Sequence, residues 1–149
     1  MNTTDWTAWE IDNAGRRVDP RTGAAYSIGP GAIIHKGARI GEGATVCDNA
    51  AVYDGAIVDR GAFIGKGAYV GAGACIGDGA TVCDNAAVDP GATVGEVARI
   101  GAWAQIYAGA KVCMGASIGK GARIGAGATV GYRVSVQERE FIRPGAYVI

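Results

Sequence analysis

Ile118-Gly-Lys-Gly-Ala-Arg-Ile124-Gly-Ala-Gly-Ala-Thr-Val130 presents an aliphatic residue, a run of small ones, and the aliphatic again six places on. Counting in sixes from Ile28 to Val148 meets 21 positions, and every one is Ile or Val. Two places before each of them from Ile34 onward stands Ala in 18 of 20 cases, with Val134 and Glu140 as the exceptions. Three places before stands Gly or Asn in 16 of 20. Because six is a multiple of the strand period of two, the aliphatic and its Ala point to one side, with an outward residue between them. The Gly or Asn column falls at a bend that needs positive φ, a conformation open to those two residue types and closed to most others. A helix is excluded, since a period of six leaves no continuous stripe at 3.6 residues per turn, and a Gly every sixth place would cost about 1 kcal/mol each. Each hexapeptide is one short strand plus one corner, and such units bury their aliphatics only by stacking into a solenoid.

The run [Ile/Val]-Gly-x-Gly-Ala-x, which covers residues 28–148, resembles the hexapeptide repeat of bacterial acyltransferases and gamma-class carbonic anhydrases. The resemblance implies an all-β, single-stranded left-handed parallel β-helix of triangular section. Three hexapeptides then make one coil and 21 repeats make seven, a prism about 34 Å long at roughly 4.8 Å per stacked strand. The hand rests on the resemblance alone, because the general rule for parallel crossovers favours the right hand.

Residues 1–27 precede the repeat and read as an N-terminal cap, with 28–149 as the β-helix. The cap carries Trp6 and Trp9, and Ile11-Asp-Asn-Ala-Gly-Arg-Arg-Val18 reads as strand, turn, strand, placed to cover the first coil and blunt its edge. Trp6 and Trp9 are read as capping residues before they are read as a ligand site.

Composition removes several function classes. Fourteen basic and fourteen acidic residues are interspersed, so no basic stripe awaits nucleic acid and no polybasic patch awaits a membrane. Neither an 18-residue apolar run nor a signal-peptide pattern occurs, which points to a cytoplasmic protein or a component of a phage particle. Cys47 and Cys83 share a column two coils apart, about 9.6 Å, beyond disulfide reach, so the four cysteines are read as free thiols. Their spacing fits no zinc pattern, and one histidine cannot supply the three that hold the metal of a gamma-class carbonic anhydrase, so no metal site is expected.

Sorting outward residues by face gathers Ile33, His35, Tyr53, Tyr69, Tyr107 and Phe141 on one side of the prism. Aromatics collected on one flat face suggest a self-association surface, and the resemblance implies a homotrimer. Trp103 is a second contact candidate, at a corner where the pattern expects Gly, as it does at Val97. In the resembling acyltransferases an interface histidine is the general base, and His35 is the sole candidate here, with Tyr53 one coil above it and Asp54 near. The family's histidine-bearing motif and its loop excursions are missing, and no helix follows Ile149. The leading expectation from sequence is therefore a non-catalytic structural or interaction module without a cofactor. The alternative is an acyl-CoA-dependent O- or N-acetyltransferase of the hexapeptide family, using acetyl-CoA.

Overall fold

The computed structural model describes residues 3–149. Three parallel sheets run the length of a triangular prism, each built from strands that return every 18 residues, as in the pairings Ile33 with Ala51 and Ala51 with Tyr69. Face A runs from Ala25–Ile28 to Ser135–Val136, face B from Ile33–Ile34 to Phe141–Ile142, and face C from Arg39–Ile40 to Tyr147–Val148. Beyond Ala25–Ile28 every strand of the solenoid is two residues long, one outward and one core. About seven coils stack in this way, as the resemblance implied.

The core is the aliphatic column with its Ala partners. From Ile34 to Val130 every six-residue aliphatic is at most 2% exposed, while Val136 and Ile142 reach 4% and 7%. Ile28 and Val148, at the two ends of the stack, are half-buried and pack against the core from outside. Backbone hydrogen bonds close the ladder between coils, with Cys75 N–H on Ala92 O at 3.0 Å and Tyr69 N–H on Ala86 O at 2.9 Å as examples. The strand ladder therefore leaves these buried peptide groups paired.

The corners keep one conformation even where the sequence departs from Gly. Asn49, Asn85, Val97, Trp103, Arg133 and Arg139 all take positive φ, between 50° and 62°. The mismatch at Val97 and Trp103 is thus not relieved by another turn. A β-branched or bulky residue held there costs about 1–3 kcal/mol. What permits it is visible one coil earlier: the side chains of Asn49, Asn85, Val97, Arg133 and Arg139 lean over Gly31, Gly67, Gly79, Gly115 and Gly121 respectively. Trp103 breaks this rule, since Asn85 stands 18 residues before it.

The N-terminal segment packs on the first coil, and the strand-turn-strand expected at Ile11–Val18 is present in short form, with Asp12 N–H on Arg16 O at 2.8 Å and Val18 N–H on Glu10 O at 2.8 Å. Trp6–Ala8 forms a short 3-10 turn, Ile11 makes one isolated bridge to Arg17, and Arg17–Val18 pairs antiparallel with Ala25–Ile28. Trp9 is buried and meets Tyr26 edge to face at 5.8 Å, and Trp6 donates its indole N–H to Ala32 O at 2.9 Å. Ile11 contributes little to the cover, being 58% exposed. Asp19 is fully buried beneath the cap, ion-paired with Arg21 at 2.6 Å and accepting from the Tyr26 hydroxyl at 3.2 Å.

Candidate active site

His35 follows the core residue Ile34, and the strand period turns its side chain outward on face B. Its backbone N–H donates to Val52 O at 2.9 Å, and its carbonyl accepts from Ala38 N–H at 3.0 Å, so the residue is fixed at both ends. An arm from the N-terminus lies along it: Thr3 bridges His35 in antiparallel fashion, and Thr4 N–H donates to Ile34 O at 2.6 Å. The side chain is 20% exposed.

The imidazole stacks on Tyr53 with ring centres 4.4 Å apart and planes 28° from parallel, and Tyr53 in turn leans on Tyr69 at 4.9 Å. Nδ1 is buried without a hydrogen bond, and the Asp54 carboxylate is 3.9 Å from it, an ion-pair distance but too long for a hydrogen bond. Asp54 is itself held by Gly37 N–H at 3.1 Å.

The other aromatics of face B fall where the register put them, but in a different state. Tyr53, Tyr69 and Tyr107 lie half-buried against the face, and only Ile33 and Phe141, near its two ends, are exposed at 44% and 49%. Burial on one another raises the Tyr69 hydroxyl above its usual range, chiefly by desolvation and then by Tyr53 and Asp89. A small apolar cavity of about 240 Å³ lies higher on the same face, lined by Tyr107, Arg123, Gly125, Ala126, Phe141 and Pro144. Arg123 stands 5.3 Å over the Phe141 ring there. Arg123 was not singled out from sequence; its signal was its outward position one coil below Phe141 in the same column. Trp103, 64% exposed, is on the edge between faces A and B and takes no part in this constellation. Trp6 and Trp9 are spent on the cap, although Trp6 also lines a cleft of about 750 Å³ between the N-terminal arm and the first coil. Among the described residues no three His, Cys, Asp or Glu side chains converge as a metal cage, and all four cysteines are free.

Solved structures give the fold its precedent. A GDP-perosamine N-acetyl transferase from Caulobacter crescentus, determined with CoA and GDP-perosamine, superposes with a TM-score of 0.62 at 23% identity, over 79% of this chain and 52% of that one. A UDP-N-acetylglucosamine acyltransferase superposes with a TM-score of 0.52 at 14% identity, over 93% of this chain and 66% of that one. The fold is the left-handed β-helix of the hexapeptide-repeat transferases. A coil of the opposite hand would not superpose, so the neighbours supply the hand that the spacing left open. The chain spans about half the length of the perosamine enzyme. No protein-family model and no curated protein matches the sequence.

Proposed function

We propose that this chain is the β-helix of an acyl-CoA-dependent acyltransferase, with His35 as its general base and face B as the site of both chemistry and trimer contact. The observation that carries the reading is the His35 imidazole itself, stacked on Tyr53 with its buried Nδ1 turned toward Asp54. Nε2 would take the proton from an acceptor hydroxyl or amine as its oxygen or nitrogen attacks the thioester carbonyl. A new ester or amide bond forms, the carbon–sulfur bond breaks, and the imidazolium returns the proton to the leaving thiolate. The solved perosamine enzyme supports this in two respects: it binds CoA, and the variant crystallised has a histidine replaced by alanine.

The residues of face B fit the coenzyme's chemistry. Tyr107 and Phe141 offer ring faces and Arg123 offers a guanidinium around the upper cavity, a combination suited to a nucleotide. That cavity lies about 24 Å up the same face from His35, at roughly 4.8 Å per coil, a span of the order of an extended coenzyme. Acetyl-CoA supplies the activated acyl group; the protein supplies the base and its orientation.

The test is thiol release from acetyl-CoA across a panel of sugar and amino-sugar acceptors, alongside calorimetric titration with CoA. His35→Ala should lower turnover by about 10²–10⁴-fold while CoA binding persists. Absence of CoA binding to the wild-type chain, or turnover unchanged in His35→Ala, would overturn the reading.

A further inference from the structure

The edge between faces A and B repeats in two columns, and over its last five corners both are antisymmetric about one level of the prism. From the third corner onward the first residue reads Lys66, Asp84, Ala102, Lys120, Glu138 along the axis, and the second reads Gly67, Asn85, Trp103, Gly121, Arg139; the two corners before these, Pro30-Gly31 and Asp48-Asn49, extend past the partner's last coil. Equidistant from Ala102, Asp84 faces Lys120 in sign and Lys66 faces Glu138. Equidistant from Trp103, Asn85 matches the bare Gly121, and Arg139 matches the bare Gly67. We infer that this edge is a two-fold interface with a second copy of the chain, the two prisms antiparallel and Trp103 meeting its counterpart on the axis.

The geometry selects the antiparallel arrangement. In an isologous contact each residue at one level meets its mirror level in the partner. With the axes antiparallel and the two-fold at Trp103, Lys66 meets Glu138, Asp84 meets Lys120, and the side chains of Asn85 and Arg139 meet Gly121 and Gly67. With the axes parallel, Lys66, Asp84, Lys120 and Glu138 would each meet their own kind, which is repulsive. Lys66, Asp84, Lys120 and Glu138 are exposed, and none is ion-paired within its own chain among the described residues. Asp84 accepts only the Lys66 backbone N–H, at 3.0 Å.

Trp103 is the second, independent argument. It keeps the left-handed conformation at φ 62° without the glycine one coil earlier over which the other non-glycine corner residues fold, and its ring is 64% exposed. Nothing inside the chain accounts for a tryptophan there. A large aromatic at the centre of a patch rimmed by complementary charges is the usual make-up of a contact that dominates binding.

This inference stands apart from acyl transfer, and its test reads mass. Sedimentation of the wild-type chain at micromolar concentration should give an assembly of even copy number, and Lys66→Glu should halve its mass. Glu138→Lys should do the same, and the two together should restore it, because the pair is exchanged between copies. Raising NaCl to 1 M should shift the wild-type chain the same way, since exposed charges are screened. Trp103→Cys under mild oxidation should yield a covalent dimer whose cross-linked peptide joins position 103 to position 103. A mass unchanged by Lys66→Glu, or no such cross-link in a folded Trp103→Cys protein, overturns the interface.

Discussion

The side-chain oxygen of Asn85 lies 2.5 Å from where a β-carbon on Gly67 would stand. That approach couples two residues 18 apart, and it makes the glycine of one coil the condition for a side chain at the corner of the next. Gly61 offers the control, for it has the same positive φ, 67°, with nothing within 4 Å of its missing β-carbon. Gly61→Ala should cost about 1–2 kcal/mol, the price of the left-handed conformation alone. Gly67→Ala should cost more, and Asn85→Gly in the same chain should recover the excess. Denaturant unfolding of the four chains measures the coupling directly, and a coupling near zero would reject the pairing.

The core column makes a sharper prediction about chemistry than about size. Ile76 is fully buried midway along the stack. Ile76→Val removes one methyl group and should cost about 0.5–1.5 kcal/mol. Ile76→Asp places a carboxylate among aliphatics with no partner and should abolish cooperative folding of the middle coils, read by circular dichroism.

The fold was legible from Ile28 to Val148 because one column of residues does one job throughout: each coil repeats the same burial, so no long-range pairing had to be guessed. The corner rule was legible too, in the alternation of Gly31, Asn49, Gly67 and Asn85, but only once positions 18 apart are set side by side. What sequence could not give was the state of the aromatics. Tyr53, Tyr69 and Tyr107 lie along face B instead of projecting from it, because a half-buried ring gains contact with its neighbour one coil away. In the N-terminal segment the turn at Ile11–Val18 was legible, while the partners of its tryptophans were not, since Trp6 meets Ala32 and Trp9 meets Tyr26 through contacts that no period specifies. The pairing of His35 with Asp54 was placed near by arithmetic, and the arm of Thr3 and Thr4 across it had no signal in the pattern.

Asp19 makes the N-terminal segment sensitive to acid. Burial raises the Asp19 carboxyl and the bonds from Arg21 and Tyr26 more than offset it, so the group sits below the usual carboxylate range. A folded-state value below the unfolded one, which is about 3.9, gives stability that is fully present above pH 5 and is lost as pH falls through the folded value. Trp9, packed on Tyr26, should report this as a fluorescence change below about pH 4. Asp19→Asn keeps the shape, removes the charge that Arg21 pairs with, and should loosen the cap at pH 7 by about 3 kcal/mol or more. A low-pH transition that survives in Asp19→Asn would assign the sensitivity elsewhere.

The trimer contact proposed for face B is testable separately from the edge contact. Ile33 and Phe141 are exposed near the two ends of the face, and the rings of Tyr69 and Tyr107 lie half-buried between them. Covering that strip would bury aromatics centrally, where contacts contribute most. Tyr69→Asp with Tyr107→Asp places two charges in the strip and should break the face B contact while leaving the edge contact, and Lys66→Glu should do the reverse. A wild-type chain that sediments as a dimer, with Tyr69→Asp and Tyr107→Asp leaving that mass unaltered, would remove the trimer and leave His35 on an open face.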